Sequence, residues 1–242
     1  MSNRADQPLV SVIINVYNGL LYLADAIESV FAQTYDPVEL VVVDDGSDDG
    51  TGELAEGYGS ALRYVRQPRT GIGAARNRGI DLAQGDFLAF LDADDRFVPA
   101  KVERQMAALT ADPELDMVFG HMSEFISPEL APEVAARLRP PVHDAPWRMT
   151  NLMLIRRESF LRAGRFSETL KVGVGVDWYA RATEAGLKEY VVPEVVLERR
   201  LHAANNGILQ LESRPQYLRI LKAHLDRRRL AESSSGESGA ER

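Results

Sequence analysis

Cysteine is absent from this chain, which removes a disulfide framework, a thiolate metal site and a cysteine nucleophile at once. A long apolar run is missing too. The longest, from Leu9 to Val16, falls far short of the roughly 20 residues that a bilayer-crossing helix needs. The first eight residues lack the basic-then-apolar pattern of a secretion signal, so the expectation is a cytoplasmic protein without a transmembrane segment. Positive charge is in the minority: 28 Lys and Arg stand against 36 Asp and Glu, for a net charge of −8. Duplex nucleic acid is excluded as a partner, because its binders need clustered basic residues to displace counterions. No internal repeat or heptad run is visible.

What is present supports a folded body. Hydrophobic residues make up 45% of 242 positions, enough for a sizeable core without covalent staples. The expected organisation is a flexible amino terminus over residues 1–8 and one domain over 9–231. That domain divides into a first half over 9–100 and a looser second half over 101–231, closed by an amphipathic helix near Tyr217 to Leu225. The polar residues 232–242 form a disordered tail.

Leu9 to Val16, Val38 to Val43 and Phe87 to Leu91 are short apolar runs, expected of strands buried on both faces. Leu62 to Val65 reads as a weaker strand. Between them lie helical stripes: Leu20, Leu23, Ile27 and Val30, a segment from the Ser47–Thr51 turn to Tyr58, and Ala74 to Leu82. Such alternation predicts an α/β fold with a parallel sheet and right-handed crossovers. Further on, helices are expected over Lys101 to Leu109, Arg157 to Ala163 and Asp177 to Ala185, and a strand over Met117 to Phe119. The proline- and charge-rich stretch from Ser127 to Pro146 reads as irregular.

Ligands of an open parallel sheet bind outside the carboxyl ends of its strands. Those ends carry Asn15 to Asn18, Asp44-Asp45-Gly46-Ser47 and Asp92-Ala93-Asp94-Asp95. Either acidic group alone is explained as a turn or helix cap. Two on one rim repel each other unless a hard cation or a donor-rich ligand is expected there. Gly71-Ile72-Gly73 lacks the spacing of a dinucleotide fingerprint and is read as helix-start geometry; Arg78 is read as solvated.

In order, VSVIINVYN, VVVDDGSDDGT, GIGAARNRGI and FLAFLDADD resemble the nucleotide-sugar-binding half of family 2 glycosyltransferases with the GT-A fold. A looser similarity continues through Ile155 to Glu158, Gly164 to Phe166, Val176 to Trp178 and Arg199 to His202. The resemblance implies a Rossmann-like, mostly parallel sheet flanked by helices, with an acceptor-binding carboxyl-terminal half. It implies that Val16, Tyr17, Asn18, Asp45 and Ala93 line the nucleotide site, Tyr17 and Asp45 at the base, with Arg76 in support. Asp92 would reach the ribose or the metal, Asp94 would hold a divalent Mn2+ or Mg2+, and His202 is either a further metal contact or an ordinary loop histidine. Asp177 would be the general base. The family commonly has Glu-Asp where this chain has Val176-Asp177, which leaves the base without its acidic neighbour.

The implied activity is metal-assisted, inverting transfer of one sugar from a nucleoside-diphosphate sugar to an acceptor hydroxyl. Asp45, which offers only acceptors, suits a UDP-, TDP- or GDP-sugar by pairing with a ring N–H. Single addition follows from the lack of the Gln-x-x-Arg-Trp signature and long apolar segments of processive synthases. Two alternatives stay open, a nucleotidyltransferase acting on sugar phosphates and a non-catalytic nucleotide-sugar-binding module. Self-association also stays open.

Overall fold

A computed structural model describes residues 7–136 and 147–202, together with residues 220, 222, 224, 226 and 227. The expected tail at 232–242, residues 137–146 of the proline-rich stretch, most of the expected flexible amino terminus and most of the carboxyl-terminal amphipathic stripe lie outside the described residues.

The elements run β1 (Val10–Val16), α1 (Leu23–Phe31), β2 (Val38–Asp44), α2 (Thr51–Glu56), β3 (Arg63–Arg66), α3 (Ile72–Leu82), β4 (Phe87–Asp92), β5 (Arg96–Phe97) and α4 (Lys101–Ala111). They continue with β6 (Met117–Ile126), α5 (Pro132–Ala135), β7 (Leu154–Arg156), α6 (Arg157–Arg162), α7 (Val174–Glu184) and β8 (Glu189–Leu201). One sheet holds all eight strands in the order β3-β2-β1-β4-β7-β6-β8-β5. The first four are mutually parallel, β7 runs against both its neighbours, and β6 and β8 are parallel again.

Val12, Ile13, Ile14, Val41, Val42, Leu88, Ala89 and Leu91 are fully enclosed, as continuous apolar strands covered on both faces should be. The β1–β4 register sets Asn15 opposite Asp92, and the β1–β2 register sets Val16 opposite Asp44. The three polar strand ends therefore share one rim.

Three expectations are corrected. β6 extends to Ile126, well beyond Phe119, and β8 is a thirteen-residue strand where none is expected. Pro193 is accommodated because the β6–β8 register shifts between Phe119 and His121, a bulge that frees the proline from the ladder. Finally, α7 starts at Val174 rather than Asp177, with Gly173 in the left-handed conformation as its cap, so Asp177 sits within the first turn and its N–H already bonds to the Gly173 carbonyl.

β8 matters most for the rim. It pairs with β5 at Leu197 and Glu198 and ends at Leu201, carrying Arg200 and His202 to the loop that leaves β4.

Candidate active site

The turn after β2 divides two adjacent aspartates. Asp44 is buried and accepts hydrogen bonds from the Ser47 N–H at 2.7 Å and the Tyr64 hydroxyl at 2.9 Å, so it ties β2 to the edge strand β3. Asp45 turns the other way. One of its oxygens accepts from Gln67 Nε2, the Thr70 N–H and the Thr70 hydroxyl at 2.9–3.0 Å, and the other accepts from the Gly71 N–H at 2.7 Å. A single carboxylate thus fixes the whole loop that opens α3. Gly46 is needed beside it: φ is +87°, and a Cβ there would lie 3.0 Å from the Arg69 nitrogen.

Around this loop Tyr17 stays partly exposed, with the Arg69 guanidinium 3.7 Å above its ring. Asn18, at φ +51°, ties β1 to the β2 turn: its N–H bonds to Ser47 Oγ and its side-chain oxygen accepts from the Asp48 N–H. The Val16 carbonyl accepts the Asp45 N–H at 2.8 Å.

At the end of β4 the buried Arg76 holds three elements together, donating to Asn15 Oδ1 at 3.0 Å, Thr150 Oγ1 at 3.0 Å and Asp92 Oδ1 at 2.7 Å. Its shortest bond is the one to Asp92. The other Asp92 oxygen and one Asp95 oxygen receive Asn151 Nδ2 at 3.3 and 3.0 Å. Asp95 is enclosed, its second oxygen bonded to the Arg200 N–H, and burial followed by the charges of Asp94 and Asp92 pushes its carboxyl well above the usual range. Arg200 also donates to the Asp94 carbonyl at 3.0 Å and to Asp25 at 2.6 Å.

Asp94 has a different partner. Its Oδ2 lies 3.0 Å from Nε2 of His202, whose ring stands 4.7 Å from the Tyr22 ring. Two of the three residues expected near a metal, Asp94 and His202, are thus neighbours, while Ala93 fills the bend between Asp92 and Asp94, close to Gly19.

These bonds revise the repulsion argument for the rim. Asp44, Asp45, Asp92 and Asp95 all have donors supplied by the protein itself, so their proximity does not by itself demand a cation. What does bear on one is narrower. Asn151 Oδ1 is buried beside Asp92 and Asp95 without a hydrogen-bond partner, and an orphaned oxygen of this kind suits a cation or a donor. Among the described residues no group of three or more His, Asp or Glu is arranged to hold a metal ion. Asp94 and His202 set one carboxylate beside one imidazole, both donor types that divalent cations accept.

Asp177 stands in the first turn of α7. Its Oδ2 accepts both Nε and Nη2 of Arg181 at 3.1 Å, and Arg181 is itself fastened to the Ala163 and Arg165 carbonyls. Asp177 shares a helix face with Glu184 seven residues on. Glu184 accepts from Arg227 at 2.7 Å, and the Asp177 charge adds to that of Glu184 in raising the Arg227 guanidinium. The residue of α7 that meets Thr150, and through it Arg76 and Asp92, is Gly175, where a Cβ would lie 3.0 Å from the Thr150 methyl.

Thr150, Asn151, Asp95 and Arg69 were not singled out from sequence. Thr150 and Asn151 sit in a short 3-10 turn with no motif around them, whereas Asp95 and Arg200 lie inside stretches already noted and only their burial reveals their roles.

A Rossmann-like, mostly parallel sheet with helices on both sides and an acidic rim at its strand ends is the GT-A architecture. The chain belongs to glycosyl transferase family 2: the family model matches residues 11–162. An uncharacterized glycosyltransferase of Rickettsia typhi is 32% identical over 229 residues, covering 88% of this chain and 71% of the relative. EpsH of Bacillus subtilis, also named a glycosyltransferase, is 37% identical over half of this chain and 36% of its own. Among solved structures, Staphylococcus aureus TarS 1-349 in complex with UDP superimposes with a TM-score of 0.65 at 20% identity, over 89% of this chain and 79% of that one. The same protein in complex with UDP-GlcNAc gives 0.64 at 22% identity, over 81% and 59%. This chain spans 36% of the longer TarS chain. At such identities the likeness establishes the fold.

Proposed function

We propose that this glycosyltransferase takes its sugar from a nucleoside-diphosphate donor bound at the rim of β1, β2 and β4, and transfers a single residue to an acceptor hydroxyl with inversion. The observation that carries the reading is the meeting of Asp94 and His202, 108 residues apart in sequence, at 3.0 Å beside the strand ends of a family 2 chain. UDP and UDP-GlcNAc complexes of the structural neighbour favour a uridine diphosphate donor.

In this reading the base lies on Tyr17 and presents a ring N–H to Asp45 Oδ2, which has accepted only one hydrogen bond so far. Uracil, thymine and guanine meet that requirement; unprotonated cytosine does not. Arg76 holds Asp92 fixed toward the ribose side of the pocket. A divalent Mn2+ or Mg2+ held by Asp94 and His202 supplies Lewis-acid stabilisation for the departing diphosphate. The bond from acceptor oxygen to anomeric carbon forms as the bond to the diphosphate oxygen breaks, on the opposite face of the sugar.

Acceptor deprotonation is the remaining requirement. Asp177, in the first turn of α7 and paired with Arg181 before the acceptor arrives, exchanges that partner for the acceptor hydroxyl. It takes the hydroxyl proton as general base, and the diphosphate leaves with the electron pair of the broken bond.

The test is product analysis of the purified chain with a panel of nucleotide sugars, with and without Mn2+. Release of free nucleoside diphosphate from a UDP-sugar is the expected result. No nucleoside diphosphate from any nucleotide sugar, with pyrophosphate released when a nucleoside triphosphate and a sugar phosphate are supplied, would make the protein a nucleotidyltransferase and overturn the reading.

A further inference from the structure

We infer that Arg69 forms the second wall of the base slot, so that the donor's base is held between the Tyr17 ring and the Arg69 guanidinium. The inference rests on the donor-binding reading above and extends it to a residue outside the rim carboxylates.

Four observations converge on Arg69. Its guanidinium carbon lies 3.7 Å from the centroid of the Tyr17 ring, in face-on contact. Among the described residues that ring is its one polar or aromatic partner, although Asp48 and Asp49 lie in the neighbouring turn of this acidic chain. The backbone beneath it is held firmly: Asp45 accepts the N–H groups of Thr70 and Gly71 and the side-chain donor of Gln67, and Gly46 packs directly under the Arg69 nitrogen. Lastly, Tyr17 is 39% exposed, so the pair sits open to solvent at the mouth of the pocket.

A fixed backbone with an exposed, planar, rotatable side chain is the arrangement of a slot wall. A stacked cation gains little on a wet ring, and more once it is desolvated. A flat base can enter by rotation of the Arg69 side chain alone. Tyr17 then covers one π-face and Arg69 the other, and both contacts are drier than the one they replace. Arg suits this role better than Lys because its guanidinium is planar and weakly hydrated.

Stacking does not rank bases, since every base has a π-face. Arg69 therefore strengthens binding of all nucleoside diphosphates alike, while ranking stays with the in-plane acceptor Asp45. It acts on the base and not on the phosphates.

The experiment is calorimetric titration of wild type, Arg69→Ala, Arg69→Gln and Arg69→Lys with UDP, GDP and inorganic pyrophosphate, each with Mn2+. Both neutral variants are expected to bind UDP and GDP about tenfold more weakly, with pyrophosphate affinity and melting temperature unchanged. Arg69→Lys should recover only a minor part of the loss. Unchanged UDP affinity in both neutral variants overturns the inference and leaves the donor-binding reading standing. An equal loss for pyrophosphate also overturns it, because Arg69 is then a phosphate contact. If wild type binds pyrophosphate but neither nucleotide, or none of the three, the donor-binding reading itself fails and this inference fails with it.

Discussion

Asp94 Oδ2 and His202 Nε2 face each other at 3.0 Å, one from the loop that leaves β4 and the other from the end of β8. In that pair Nε2 carries the hydrogen and the carboxylate accepts it, so a cation shared by both groups requires the tautomer with its hydrogen on Nδ1. With Mn2+ and UDP present, Asp94→Asn should abolish metal-dependent nucleotide binding. His202→Ala should weaken it by about tenfold, short of the full loss of a ligand set. Calorimetry with and without Mn2+ reads both. Equal affinity in all three proteins at saturating metal would remove the cation from this pair.

Asp177 offers a cleaner separation of roles. As the proposed general base it takes the acceptor proton, so Asp177→Asn should keep donor binding and melting temperature and lose sugar transfer. A lost general base costs on the order of a hundred- to ten-thousand-fold in rate. Transfer within a few-fold of wild type, with a lowered melting temperature, would leave Asp177 as no more than the partner of Arg181.

Arg76 is enclosed and serves three acceptors, and Asp92 is about one-third exposed. Removing one side of such a pair leaves the other charge uncompensated. Arg76→Ala is expected to cost about 3 kcal/mol of stability. Arg76→Lys should recover little, since one ammonium cannot span Asn15, Thr150 and Asp92. Denaturant unfolding of the three proteins, with Asp92→Asn to close a double-mutant cycle, measures the coupling. A coupling near zero refutes the bridge.

Far from the rim, Lys101 is buried with its ammonium 2.6 Å from Gln105 Oε1 and 4.5 Å over the Phe97 ring. Burial brings its pKa down from 10.5 to about 7. Between those values the unfolded chain holds a proton that the folded one has released, so stability rises with pH across that window and levels off below it. From pH 7 to pH 9 the wild-type melting temperature should climb relative to Lys101→Met by roughly 5 °C. Parallel curves for the two proteins would show that Lys101 does not titrate there.

The residues explain what could be read in advance. β1, β2 and β4 are runs of Val, Ile, Leu and Phe ended by polar residues, and a strand buried on both faces leaves that signature whatever surrounds it. β8 hides behind Pro193, because the bulge that excuses the proline exists only in the pairing with β6. The start of α7 is hidden for a similar reason. Val174, Gly175 and Val176 are poor helix residues, and it is the buried Trp178, stacked on Phe160 at 4.8 Å, that holds the turn in place. In the site, the acidic strand ends were legible as a pattern and their division of labour was not. Asp44 and Asp45 are chemically identical neighbours, and only the third dimension sends one to Tyr64 and the other to the Thr70–Gly71 loop. Asn151 carried no pattern at all, since its place beside Asp92 and Asp95 depends on a turn some fifty-six residues away in sequence.

The Asp45 clasp has a consequence for local cooperativity. Four donors from a five-residue loop converge on one carboxylate, so the loop opens as a unit or not at all. Amide protons of Thr70 and Gly71 should exchange at one common rate, set by the opening of that clasp rather than by solvent access at each position. Ligand bound against Asp45 would slow them together. The same coupling makes Asp45 a treacherous position to mutate, because a substitution there removes the proposed base contact and releases the loop in one stroke, and an activity loss alone could not say which had happened.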